Sequence, residues 1–184
     1  MFVVTAAESN RTVEQLSAPK MEPPGGYRTT RPKQYYQFIV YCIDRKSGEI
    51  LWRRVAAERV PHEGHHKTNT YASGSPTTDG KQLYVTFGSH GLFCYDLDGN
   101  PIWQRDLGDM VTRFGWGEGA SPAVYRDSLA VNWDNEGSSE VYVLDASNGQ
   151  TRWQAKRDEE TSWGTPLIVP YKGKKQLIMN EALR

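Results

Sequence analysis

"DRKSGEILW", residues 44–52, reads as a turn between two strands, and the chain returns to the same arrangement twice, as "DLDGNPIW" (96–103) and "DASNGQTRW" (145–153). Asp44, Gly48 and Trp52 recur as Asp96, Gly99 and Trp103, and again as Asp145, Gly149 and Trp153. Each residue type has a physical reason for its place. An Asp side chain accepts hydrogen bonds from backbone amides just beyond it, and Gly admits the positive φ of a tight strand connection. A Trp offers a large apolar surface with a single N–H donor. The first two build a turn between consecutive strands, and the third enters the crevice between neighbouring units.

The spacing sets the architecture. Trp52 and Trp103 are 51 positions apart, and Trp103 and Trp153 are 50 apart. A second marker, Ser75-Pro76, Ser121-Pro122 and Thr165-Pro166, keeps a similar beat. Each proline leads to a strand-like run ("LYVTF", "LAVNW", "LIMN"). Runs ending in the Asp ("FIVYCID", "GLFCYD", "EVYVLD") precede the turn and the Trp. One unit therefore holds four short strands, and repetition at such a period marks an array of like units. Alternate positions do not divide apolar from polar: Phe38, Val40 and Cys42 lie on one face, Ile39, Tyr41 and Ile43 on the other. Strands apolar on both faces are covered on both faces. Four-stranded sheets stacked face to face in this way are the blades of a β-propeller. A β-sandwich would not require the recurring Asp-Gly-Trp punctuation. The sequence predicts an all-β chain, a partial β-propeller of four-stranded antiparallel blades, with about three to three and a half blades present.

The expected domain is single and spans 1–184: a partial blade at 1–56 carrying a loop insertion at 9–34, full blades at 68–106 and 115–156, and a partial blade at 161–183. Propellers close at about four to eight blades. An open array exposes apolar blade faces, which favour self-association. The insertion, rich in Pro, Gly and charge, reads as either a mobile cover or a solvated loop.

Composition narrows the function. Lys and Arg number 22 and Asp and Glu number 22, so the balance gives no electrostatic reason to bind nucleic acid. The longest apolar run, near "FIVYCI", is too short to span a bilayer, so no transmembrane segment is expected. "MFVVTAAESN" lacks the basic start and apolar stretch of a signal peptide. Cys42 and Cys94 form neither a disulfide framework nor a CxxC motif. "GWGEG" is followed by Pro and a strand rather than by a helix, which excludes a phosphate loop.

At the Asp, Gly and Trp positions the chain resembles the PQQ-like (pyrroloquinoline quinone-binding-like) β-propeller repeat family, whose blades carry a signature of this kind. The stretches "YASGSPTTDGKQLYVTFGSHGLFCYDLDGNPIWQRDLGD" and "GEGASPAVYRDSLAVNWDNEG" resemble exported bacterial propellers of the planctomycete type. The resemblance implies the fold and a periplasmic or secreted location. The family's quinoprotein dehydrogenases hold pyrroloquinoline quinone and a metal ion, commonly beside two adjacent cysteines. Here Cys42 and Cys94 stand 52 apart at equivalent repeat positions and read as small core residues. The expectation is a non-catalytic binding or scaffold module of the bacterial cell envelope, with a protein, peptide or glycan partner and no cofactor. It is similar in architecture to the lipoprotein propeller of outer-membrane protein assembly. The alternative is a fragment of a PQQ-dependent quinoprotein dehydrogenase, and only that reading brings in PQQ and calcium.

Segments that enter innermost strands lie near a propeller's central channel. "ERVPHEGHHKTNTYASG" brings His62, His65, Asn69 and Tyr71 there, "RFGWGEGAS" brings Arg113, Trp116 and Glu118, and "ETSWGT" brings Trp163. These eight are the candidate channel rim for a small polar ligand, a sugar or a peptide. His62, His65 and His66 have only Glu63 as a local carboxylate and no helix to fix their faces, so no metal site is expected.

Overall fold

The computed structural model describes residues 1–19, 21–24 and 29–180. Strands β1 (Phe2–Thr12), β2 (Gln34–Ile43) and β3 (Ile50–Arg59) form a three-stranded sheet. Strands β4 (Thr77–Thr78), β5 (Gln82–Thr86), β6 (Leu92–Asp96) and β7 (Pro101–Arg105) form a four-stranded one. A second four-stranded sheet follows in β8 (Ala123–Tyr125), β9 (Ser128–Trp133), β10 (Glu140–Asp145) and β11 (Thr151–Lys156). Strands β12 (Leu167–Tyr171) and β13 (Lys174–Ile178) pair as a hairpin. Pairing is antiparallel between sequence neighbours throughout. This is the all-β, partial propeller read from the repeat. Among the described residues no helix is long and apolar enough to cross a membrane.

Successive residues of one strand feed different cores, which explains the two apolar faces. Leu83 and Val85 of β5 pack with Phe38, Val40 and Phe93 against the first sheet. Tyr84, between them, joins Cys94, Leu129 and Leu144 against the third. Burying such an aliphatic or aromatic side chain contributes about 1.5–3 kcal/mol. Both cysteines are buried and free, and burial pushes the Cys94 thiol up to about 12.

The recurring punctuation clamps one blade to the next. Asp44 Oδ1 accepts the amides of Lys46 and Ser47, each at 2.8 Å, and Asp96 and Asp145 organise their turns similarly. Trp52 Nε1 donates to the Leu97 carbonyl at 3.0 Å, and Trp103 Nε1 donates to the Ala146 carbonyl at 2.9 Å. The indole lies flat on the glycine of the turn it reaches: a Cβ on Gly99 would sit 2.8 Å from Trp52, and one on Gly149 would sit 2.6 Å from Trp103. Two residues after each Trp, Arg54 and Arg105 donate to the Gly99 and Gly149 carbonyls at 2.7 Å. The Ser/Thr-Pro marker does the same near the axis, where Ser75 N donates to Ser121 Oγ (2.8 Å) and Ser121 N to Thr165 Oγ1 (3.2 Å).

One boundary differs from the expected 9–34 insertion. β1 continues to Thr12, which pairs with Gln34 across a register shift, so the connection occupies 13–33. Ser9–Thr12 are polar and the last three are exposed, so hydrophobic patterning carried no sign that the ladder continues.

Candidate functional site

Three linkers converge where the chain enters its inner strands. Glu63 in the first reaches Thr112 in the second: Thr112 Oγ1 donates to Glu63 Oε1 at 2.6 Å and Thr112 N to Oε2 at 3.1 Å. Thr112 Oγ1 accepts from Gly117 N at 2.9 Å. In the third linker, Thr161 Oγ1 accepts the Arg113 amide at 2.9 Å and donates to Glu136. Glu63, Thr112 and Thr161 are evenly spaced in sequence, so one station of the repeat laces the linkers together.

Glu118 reaches back into the second blade. Ser89 N donates to its Oε2 at 2.6 Å and Ser89 Oγ to its Oε1 at 2.5 Å. Gly88 makes room, since a Cβ there would collide with the carboxylate. His62 Nε2 lies 2.7 Å from the Met110 carbonyl. A carbonyl only accepts, so Nε2 carries the proton and Nδ1 is left as a lone pair. That Nδ1 is buried with no hydrogen-bond partner. His62 Nε2 is also 3.9 Å from Glu118 Oε1, and one donor atom from each of His62, Glu63 and Glu118 lies within 4.8 Å of the others. Burial raises Glu63 above the usual carboxylate range and pushes Glu118 up to about 8. Burial, then the neighbouring His62, lowers His90 to about 3 and holds that imidazole neutral at pH 7.

The structure brings the eight candidate rim residues into this one region, in different capacities. Asn69 Nδ2 donates to the Trp116 carbonyl at 2.9 Å, which makes it a tie between linkers. Tyr71 packs edge-on against His65 at 4.6 Å, and its hydroxyl donates to the Glu63 carbonyl. Trp116 stacks at 6.3 Å on Trp163, which is 40% exposed and donates its indole N–H to the Gly117 carbonyl. Phe114 joins them at 4.7 Å from Trp116. Arg113 turns outward to pair with Glu160 at 2.6 Å.

The insertion closes over the rim. Arg31 donates to the Pro61 and Ser17 carbonyls at 3.0 and 2.8 Å, Thr29 Oγ1 donates to the Gly115 carbonyl, and Phe114 N donates to the Pro24 carbonyl at 3.0 Å. Beneath it lies a chamber of about 510 Å³, with Leu16, Met21, Pro23 and Val111 as apolar wall and His62 and Glu63 at its polar end. His62 and Glu63 also border a narrow throat of about 40 Å³ shared with Glu118, His90, Asn132 and Asp134.

The sequence offers Glu63 only as a carboxylate beside the histidines, and no local motif in it marks Ser89, His90, Thr112 or Asp134 at this site. The even spacing of positions 63, 112 and 161 was a usable signal; the approach of Glu118 to Ser89 was not. The quinone and calcium associated with the fold fit these residues poorly. Calcium takes about six to eight oxygen ligands, whereas the clustered donors include an imidazole. Cys42 and Cys94 sit in β2 and β6 rather than side by side.

Laced blades around a converging set of linkers define a PQQ-like β-propeller repeat protein. The chain belongs to the family described as outer membrane protein assembly factor BamB, whose model matches residues 37–183. A comparison with curated sequences finds no significant match. Among solved structures, BamB from Moraxella catarrhalis is similar at 17% identity and a TM-score of 0.51, covering 74% of this chain and 40% of that one. A quinohemoprotein alcohol dehydrogenase from Comamonas testosteroni is similar at 14% identity and a TM-score of 0.44, over 71% of this chain and 21% of that one. A europium-containing methanol dehydrogenase gives 14% identity and a TM-score of 0.46, over 67% and 23%. The chain thus spans less than half the length of each.

Proposed function

We propose that this chain is a non-catalytic binding module of the cell envelope, periplasmic or secreted, that holds an extended peptide segment of a partner protein at the channel rim. The observation that carries the reading is the chamber of about 510 Å³ beneath the insertion, whose wall mixes the apolar Leu16, Met21, Pro23 and Val111 with the polar Glu22, Arg31, His62 and Glu63. That size and mixed lining suit a small number of side chains and their backbone. Family membership supports a protein partner, since the family is described as an assembly factor. The exposed apolar side chains of Ile50, Leu51 and Leu167 support self-association as a second property.

A phage-displayed peptide library panned against the immobilised chain tests the reading. Enriched peptides should bind the wild type and bind Met21→Glu at least about tenfold more weakly, a loss of about 1.4 kcal/mol. Glycan fragments serve as the parallel probe. Failure to enrich any peptide, or a bound quinone with stoichiometric calcium detected by absorbance and metal analysis, would overturn it in favour of the quinoprotein alternative.

A further inference from the structure

We propose that the throat of the channel is a binding site for one divalent transition-metal cation, held by His62, Glu63 and Glu118. The throat adjoins the peptide chamber and shares His62 and Glu63 with it, but at about 40 Å³ it admits an ion and a water rather than an organic group. Its three ligands come from two linkers, residues 62 and 63 from one and 118 from the next, and one donor atom from each lies within 4.8 Å of the others.

The surroundings are those a cation needs. Among the described residues no Lys or Arg lines the throat where the carboxylates converge. Bringing like charges together in a poorly solvated space is costly unless a proton or a cation intervenes. Both carboxylates are already oriented, Glu63 by Thr112 and Glu118 by Ser89, and each oxygen so held keeps a further lone pair. His62 donates Nε2–H to the Met110 carbonyl, the arrangement that fixes the tautomer of metal-bound imidazoles. We assign the cation to Nδ1, which is buried and without a hydrogen-bond partner, while Nε2 is the nitrogen that stands 3.9 Å from Glu118 Oε1.

A second observation points to the same place. The Asp134 side chain is completely buried and borders the throat. Its Oδ1 accepts from Arg157 Nε at 2.8 Å, yet its Oδ2 has no partner. A cation-bound water would supply the missing donor. An imidazole with two carboxylates suits zinc, manganese or a similar ion better than calcium. Ligand distances of about 2.0–2.2 Å require the donors to close by roughly 1 Å, and three protein ligands leave one coordination position for water.

The test is calorimetric titration of the full chain, stripped with EDTA, with ZnCl₂, and with CaCl₂ as the contrast. One zinc per chain with saturable binding is expected, with affinity falling at least about tenfold in both His62→Ala and Glu118→Gln. Circular dichroism checks that each variant folds. The cobalt(II) spectrum of the wild type provides a readout free of mutation, and a visible band of four- or five-coordinate cobalt is expected. Absence of stoichiometric zinc binding, absence of that band, or unchanged affinity in both folded variants would overturn the proposal.

Discussion

Trp103 and Gly149 show how a fold-level contact is written in two residues. The indole donates to the Ala146 carbonyl and its ring covers the Gly149 Cα, so no side chain can be added at that glycine. Gly48 occupies the same turn in the first sheet with nothing within 4 Å of a Cβ. Both glycines have positive φ, 71° and 78°, so alanine at either pays the left-handed backbone cost of about 1 kcal/mol. Gly149→Ala should lose a further 1–3 kcal/mol or so by overpacking, a difference that urea unfolding of the two variants measures; equal losses would remove the clamp. Asp145 carries the acid sensitivity of its turn. Hydrogen bonds from Ser147, then Arg152, hold it down to about 2, whereas an unfolded Asp titrates near about 3.9. A depressed carboxylate stabilises above its unfolded value, so this contribution is present above about pH 4 and fades toward about pH 2. In Asp145→Asn the stability gap to the wild type should therefore be constant from pH 7 to about 4 and narrow below it, as thermal melts across pH will show. The Trp and Gly were legible in sequence because their chemistry recurs at a fixed spacing. Arg54 and Arg105, which complete the clamp, were passed over because the third repeat has Ala155 at that place.

At the scale of elements, the strands were readable and the linkers only in part. β5, β6, β9 and β10 are continuous apolar runs, and the burial of both their faces follows from a sheet on either side. The linkers carry polar ties whose partners lie a whole repeat away, beyond the reach of local patterning. Thr112 is the centre of one such tie, almost fully buried with Glu63 as its acceptor. Thr112→Val should cost about 1–3 kcal/mol, because it strands a buried carboxylate oxygen; a change within error in chemical denaturation would mean that water replaces the hydroxyl. The insertion was the least legible element. Its Pro- and Gly-rich composition signals only a loop, while its docking depends on Arg31 and Thr29 meeting carbonyls at Pro61 and Gly115. Arg31→Ala should loosen that roof and speed trypsin cleavage between residues 13 and 33, with the blades left intact.

Among the described residues the second and third sheets each pack between two others, whereas the first sheet and the β12–β13 hairpin each meet one. Leu83, Tyr84, Leu129 and Leu144 of the second and third sheets are fully buried, as are Phe38 and Val40 of β2, which pack against the second sheet. On the flanks Trp153, the third Trp of the repeat, is 47% exposed, and the β12–β13 hairpin presents Leu167 and Ile178 to solvent. The convergence of His62, Glu63 and Glu118 at the axis could not be read from the sequence, because it depends on how far each linker dips into the channel. The central claim is that stability comes from clamps between successive blades rather than from each sheet alone. Amide hydrogen exchange followed by mass spectrometry tests it most directly. Exchange should be slowest in β5, β6, β9 and β10, intermediate in β1–β3, and fastest in β12–β13. Uniform protection across the four sheets, or greatest protection in the terminal hairpin, would contradict it.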